Sequence, residues 1–405
     1  MPMSEQIFER DREDVIRLTQ QLVRIPSVYR PGQPDGNEAQ VARFIYEFLR
    51  EMGLEVHLEE VQPGRPNVIG ILDSGQAGKT LLFEGHTDVV TEGDPSAWEY
   101  DPFEAQISDG KMFGRGTNDT KGNLAAAITA VRSLMRDNEP FRGKILLCIP
   151  CDEEGMMIGI KHFIQQGWAE GVDGAIICEP EENQICIAQK GAMRIILHTH
   201  GKMAHGAIPL SGINPNIKMA RLICELEALE RREKARLGKH PRLGWPSITP
   251  TIIRGPAAGE AQINVVPDKC MTTLDIRTIP GQDHHELKKD IQRVLDGLAA
   301  DDPDFKAEFE VIEDRPCTQT DPNDPIVQAV ADAYQTVTGN QPVYNGVPGA
   351  TDGTFLHLAG VPIVTTGAGE RDIPHQVNEF IDLQELAVTT QIYRQAALNF
   401  LRSAE

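Results

Sequence analysis

The stretch LLFEGHTDVV, residues 81–90, decides the fold: an apolar run of strand length stops at Gly85 and is followed at once by His86 and Asp88. The same punctuation recurs along the chain. KILLCIPCDEE (144–154) ends in Glu153 and Glu154, GAIICEP (174–180) in Glu179, and GVPIVTTGAGE (360–370) leads through a short loop to His375 in ERDIPHQVNEF. NVIGILD (67–73) is a further run of this kind. Between them lie helical patterns: Val15, Leu18, Leu22 and Val23; then Val41, Phe44, Ile45, Phe48, Leu49 and Met52, closed by Gly53; then Leu124, Ile128, Val131 and Leu134. Strands and helices taking turns predict an α/β fold with a doubly wound, mostly parallel sheet. Such sheets bind ligands beyond the carboxyl ends of their strands, and the histidines and acids fall there.

The texture changes between about Lys190 and Arg315. MRIILHTHG, PSITPTIIRG and KCMTTLDIRT alternate as half-exposed strands do, and two long helical patterns interrupt them. Asn214 with Pro215 opens the first helix and Asp283 the second. The expectation is a two-layer α/β lid, residues 191–315, inserted into a discontinuous catalytic domain of residues 1–190 and 316–405. After the insertion, Asp324 and Pro325 open a helix that Gly339 ends, and Asp382 with Glu385 form a capping box for the last one.

A chain of 405 residues exceeds the size at which single cores usually divide. Its 60 acidic residues against 39 basic ones give a formal charge of −21, which repels phosphate backbones and anionic lipid, so nucleic acid and membrane are excluded as partners. The polar start MPMSEQIFERDREDV lacks the apolar centre of a secretory signal, and the seven cysteines are odd in number and scattered. Both features predict a cytoplasmic protein with reduced thiols. Cys148 and Cys151 form a C-x-x-C, but inside a strand-like run rather than at the helix start that redox pairs use.

His86 and Asp88 are two apart, so in extended backbone they share a face, and Asp88 can hold the imidazole nitrogen that does not ligate. Glu153 and Glu154 resist ionising together unless a cation compensates; one can ligate while the other stays free as general base, with Gly155 permitting a tight turn. GRGTNDTKG (114–122) lacks the third glycine of a dinucleotide fingerprint and places Lys121 before a glycine. Asp119, at a helix start, suits a carboxylate bridging two cations. These residues imply a hydrolase using two divalent metal ions, most simply zinc, with cobalt and manganese also accepted by so carboxylate-rich a set.

The motifs GHTDVV, Trp98 to Phe103, GRGTNDTKG, DEEG, CEP, GKMAHGAIP with GINP, INVVP, DIRT, GATDG and IPHQVNEFI follow one another over nearly the whole chain. In that order the chain resembles the co-catalytic zinc amidohydrolases and exopeptidases that include succinyl-diaminopimelate desuccinylase, acetylornithine deacetylase, aminoacylases and glutamate carboxypeptidase. The resemblance implies His86, Asp119 and Glu179 on one zinc, Asp119, Glu154 and His375 on the other, Glu153 as base and Asp88 behind His86. It also implies a cis peptide between Asp119 and Thr120, a homodimer, and His205 of the inserted domain as the group that stabilises the oxyanion. Asn264, Arg277, Gly349 and Thr351, with Asp352, match positions that hold substrate. Where succinyl-specific members carry an arginine, this chain has Thr354, which argues against a succinyl substrate.

The expected activity is hydrolysis of the amide bond of a small N-acyl amino acid bearing a free carboxylate; the alternative is a zinc carboxypeptidase or dipeptidase, which would use the same centre. A non-catalytic binding protein of this fold would have no use for Glu153 beside Glu154. His357 reads as a satisfied structural histidine, while His198, His200, His284 and His285 lack acidic partners at ligand spacing.

Overall fold

A computed structural model describes residues 5–402. The chain separates into two compact units: the first runs to Ile187 and includes Thr320–Asn345 and the chain from Thr351 on, and the second is Ala188–Gln319 with Gly346–Ala350.

At the centre of the first unit's sheet, Lys144–Ile149, Thr80–Glu84, Gly174–Ile177 and Ile363–Thr365 lie side by side in that order, all parallel. The flanks are antiparallel. Glu55–Gln62 and Arg65–Asp73 form a hairpin against Lys144–Ile149, and Ile185–Gln189 pairs with Ile363–Thr365 through Cys186 and Thr365. The run NVIGILD is therefore a strand that reverses direction, because a two-residue hairpin turn has no crossover helix to return the chain parallel.

Both sheet faces are buried, and alternate residues serve opposite cores. Leu81, Phe83, Ile145, Leu147 and Ile176 face a core built with helices Glu5–Val23, Ala39–Met52, Lys121–Arg136, Pro325–Thr338 and Leu383–Arg402. Leu82, Leu146, Cys148, Ala175 and Ile177 face the other, with Ile160 and Phe163 of helix Ile158–Gln165 and Leu356 of helix Gly353–Leu358. A small ribbon of Gln106–Ser108, Lys111–Phe113 and Phe380–Asp382 pairs Phe113 with Phe380, which brings the segments after Phe113 and before Phe380 together.

The second unit is an antiparallel sheet in the order Ser247–Arg254, Lys269–Thr278, Gly191–His200, Lys306–Arg315. Helices Pro215–Leu237 and His284–Asp301 bury Met219, Leu222, Leu226, Leu287 and Ile291 against Ile195, Leu197, Leu274 and Ile276. Asn214 and Asp283 cap these helices through side-chain oxygens, as their positions predict. Asp324 caps Pro325–Thr338, and Gly339 ends it in the left-handed region at φ +74°.

The capping box at Leu383–Arg402 is only half formed. Asp382 accepts from the backbone N–H groups of Gln384 and Glu385, but the Glu385 carboxylate accepts from Asn183 instead of returning to the cap. All seven cysteines are free, Cys148 and Cys151 both buried. No helix among the described residues is long and apolar enough to cross a membrane.

Candidate metal centre

Four segments of the first unit meet at the carboxyl ends of the central strands. His86 follows Thr80–Glu84, Glu153 and Glu154 follow Lys144–Ile149, Glu179 follows Gly174–Ile177, and His375 lies ten residues past Thr365 with a left-handed φ of +68°. Asp119 enters from the loop before helix Lys121–Arg136, and the Asp119–Thr120 peptide is cis. Thr120, not Asp119, occupies the helix N-cap position.

Asp119 stands between the two histidines. Its Oδ1 lies 3.3 Å from His86 Nε2 and its Oδ2 3.4 Å from His375 Nε2. Glu179 Oε1 is 3.7 Å from the same His86 nitrogen, and Glu154 Oε1 is 3.0 Å from His375 Nε2. Two sets of donors result, His86–Asp119–Glu179 and Asp119–Glu154–His375, each with its atoms within 4.8 Å of one another. Ligands at 2.0–2.1 Å from one tetrahedral zinc are separated by about 3.3 Å, so both sets fit such an ion. A fourth carboxylate, Glu153, belongs to neither; its Oε2 is 4.0 Å from His86 Nε2, and the residue is 8% exposed.

The electrostatics point the same way. Burial raises the pKa of Glu153, Glu154 and Glu179 above the usual carboxylate range, and the neighbouring acids add to the rise. Hydrogen bonds donated to Asp119 and Glu154 push His375 up to about 10. Burial opposes a charge on His86, but Asp119 and Asp88 overcome it and the imidazole is raised as well. Five buried or half-buried carboxylates thus converge on two imidazoles, an excess of negative charge that divalent cations neutralise.

Asp88 does more than its spacing predicts. His86 Nδ1 is 3.0 Å from the Asp88 backbone carbonyl and 3.5 Å from its carboxylate. The carboxylate also accepts from the backbone N–H groups of Glu153 and Glu154, at 3.1 and 3.0 Å, and so holds the turn carrying both glutamates. Gly155 likewise serves close approach rather than a special φ: a Cβ there would sit 2.4 Å from Asp152 Oδ1, while the left-handed residues of the turn are Asp152 and Met157. Asp152 itself is paired with buried Arg65, which also grips Glu38.

The substrate candidates are distributed between the units. In the second, His205 is exposed on the two-residue strand Ala204–His205, opposite Val265, and the Gly206 N–H donates to the Asn264 carbonyl, so His205 and Asn264 share one ribbon. Arg277 is engaged bidentately by Asp275, with Nε at 2.6 Å and Nη2 at 3.2 Å, which leaves its Nη1–Nη2 edge to meet a carboxylate. Gly349 groups with the second unit and Thr351 with the first. Asp352 is fully buried at the head of helix Gly353–Leu358.

Three readings of histidine change. His284 and His200 do have acidic partners, Asp314 and Glu308, supplied by a neighbouring strand rather than by nearby sequence. His357 is not satisfied, since its Nδ1 is buried without a hydrogen-bond partner. Sequence reasoning also passed over Arg115, Glu379 and Asn123. Glu379 stands four residues after His375 in a quoted motif, a usable signal, whereas Asn123, which brackets Ala368 through both its amide atoms, has none.

The chain is similar to known proteins along most of its length. The model of Peptidase family M20/M25/M40 matches residues 82–399. A probable succinyl-diaminopimelate desuccinylase of Staphylococcus epidermidis is 27% identical over 391 residues, covering 91% of this chain and 93% of the relative. N-formyl-4-amino-5-aminomethyl-2-methylpyrimidine deformylase of Bacillus subtilis is 27% identical over 422 residues, covering 96% of each. An M20 family metallo-carboxypeptidase from Sulfolobus solfataricus shares the fold, with a TM-score of 0.79 at 20% identity over 96% of this chain and 100% of that one. The chain accordingly belongs to peptidase family M20/M25/M40 and is a metal-dependent amidohydrolase.

Proposed function

We propose that this protein removes the acyl group from a small N-acyl amino acid or related amide that carries a free carboxylate. The observation that carries the reading is Asp119, whose two oxygens each face one histidine beside a glutamate that neither donor set uses. His86, Asp119 and Glu179 would hold one divalent cation and Asp119, Glu154 and His375 the second; the nitrogen and oxygen donors suit zinc, with cobalt and manganese as substitutes. When bound, such a pair polarises the amide carbonyl and makes water acidic enough to lose a proton near neutrality.

The chain's own residues supply the rest. Glu153, buried and held by the backbone N–H that Asp88 fixes, takes the proton of the attacking water and passes it to the departing amine. His205 donates to the developing oxyanion, and Asn264 on the same ribbon binds the substrate backbone. Arg277 meets the carboxylate through its free edge, and the loop of Gly349 and Thr351 contacts the remainder. Relatives named for removing succinyl and formyl groups favour the deacylase reading over the carboxypeptidase or dipeptidase alternative, which rests on the peptidase family and on likeness of fold. The resemblance in its inserted domain supports a homodimer, and seven free cysteines fit the reducing cytoplasm.

The test is a panel of formyl, acetyl and succinyl amino acids set against dipeptides, assayed with zinc and again after chelation. The reading expects acyl amino acids to be cleaved faster and all turnover to stop on metal removal; faster dipeptide cleavage overturns it in favour of the peptidase. Glu153→Ala should keep two cations while losing roughly 10²–10⁴-fold in kcat, and near-normal turnover would show that the base is misassigned.

A further inference from the structure

Beneath the candidate metal centre lies a buried ion pair that the chemistry above does not use. Glu379 is 0% exposed and Arg115 2%. Their contacts join three segments. Glu379 Oε1 accepts from the backbone N–H groups of Gly116 at 2.9 Å, Asn118 at 2.9 Å and Asp119 at 3.1 Å, and its Oε2 takes Arg115 Nη1 at 2.6 Å. The Glu379 carbonyl accepts from the Gly114 N–H at 2.9 Å. Arg115 Nη2 donates to the carbonyls of Thr91 at 3.2 Å and His375 at 3.4 Å. One carboxylate thus organises the whole turn that presents Asp119, and the guanidinium bound to it reaches both the chain leaving His86–Asp88 and the loop carrying His375.

A buried ion pair is poor evidence of stabilisation, because apolar residues of similar volume often serve as well or better. What apolar side chains cannot do is bind three backbone N–H groups and two carbonyls at set positions. The need for such fixing is specific: Asp119 must turn one oxygen to His86 and the other to His375, so a small rotation of its backbone spoils one side or both. Gly116, with φ +87°, allows its N–H to point inward, and a Cβ there would lie 2.8 Å from Val89.

We propose that Arg115 and Glu379 are positioning residues that set the orientation of Asp119 and tie the His375 loop to it, so that the affinity for the pair of divalent cations depends on them. The inference rests on the reading of Asp119 as the shared ligand. In Glu379→Gln the shape is kept, but the amide presents N–H groups where either the three backbone donors or Arg115 require an acceptor. In Arg115→Lys the charge is kept, and the fork that spans Glu379, Thr91 and His375 is lost.

The experiment is titration of the metal-free full chain with zinc by calorimetry and by competition with a chelator, alongside circular dichroism and thermal unfolding. Glu379→Gln is expected to fold and to bind zinc roughly 10–100-fold more weakly, as loss of an outer partner typically does, with kcat recovering in excess zinc and KM unchanged. Arg115→Lys should show a smaller loss. Zinc affinity within twofold of the unaltered chain in both variants, with only the melting temperature changed, overturns the proposal and leaves the function standing. An unaltered chain that takes up fewer than two zinc ions overturns both. Should Glu379→Gln fail to fold, Arg115→Lys decides by the same affinities.

Discussion

The two units place histidine beside carboxylate in opposite ways. In the second, His284 sits between Thr278 and Asp314, and Lys288 pairs with the other oxygen of Asp314, so the charges close on themselves. In the first, His86 alone has Asp88, Asp119, Glu153 and Glu179 within 4.0 Å, and His375 adds Glu154. Contact between imidazole and acid therefore says little about metal; the balance of charge says more. A closed set of charges is a structural pin, whereas a buried surplus of acid is relieved by a bound cation or by protonation.

Removing Asp119 strikes that surplus hardest. Asp119→Ala should abolish uptake of both cations and lower turnover by more than the roughly 10²–10⁴-fold expected for loss of a base, as read by elemental analysis and kcat. Retention of two cations would mean that the acids do not share a ligand. Next comes Arg65, 3% exposed and the counter-charge of Glu38 and Asp152. Arg65→Met strands two buried carboxylates and should cost about 3–5 kcal/mol in denaturant unfolding, so a cost under 1 kcal/mol would show that water reaches them.

The second unit should respond more mildly. His284→Ala removes two hydrogen bonds and is expected to cost about 1–3 kcal/mol while leaving metal content untouched. The smallest effect is one of pH. His284 first, with Lys288, holds Asp314 down from 3.8 to about 2. A depressed carboxylate stabilises the fold fully above its unfolded pKa and loses that contribution as pH falls through the folded one. The stability difference between the unaltered chain and Asp314→Asn should thus shrink between pH 4 and pH 2; a constant difference across that window would remove Asp314 from the account.

Much of the fold was legible because local rules carried it. Gly53, Asn214, Asp283 and Gly339 end or begin helices where their chemistry says they should, and the apolar runs at 81–83 and 145–149 are strands with both faces buried. The site was legible for a different reason: its acids and histidines follow strands, and parallel strands deliver their carboxyl ends to one edge. What failed was direction. Arg65–Asp73 runs antiparallel because of the short turn before it, whereas Asp88 adds contacts to the Glu153–Glu154 turn and Glu385 turns to Asn183, the last two choices made by partners distant in the chain.

Residue order alone dictates the alternating layers, the ends of the helices and the kinds of atoms gathered at the strand tips, since these follow from periodicity and from side-chain chemistry within a few residues. Folding alone decides that the two oxygens of Asp119 face different histidines, that Glu379 holds the Asp119 turn from 260 residues away, and that His284 is closed off by Asp314. The reason is physical: a hydrogen bond depends on distance and angle between atoms, and only packing brings such remote atoms within reach.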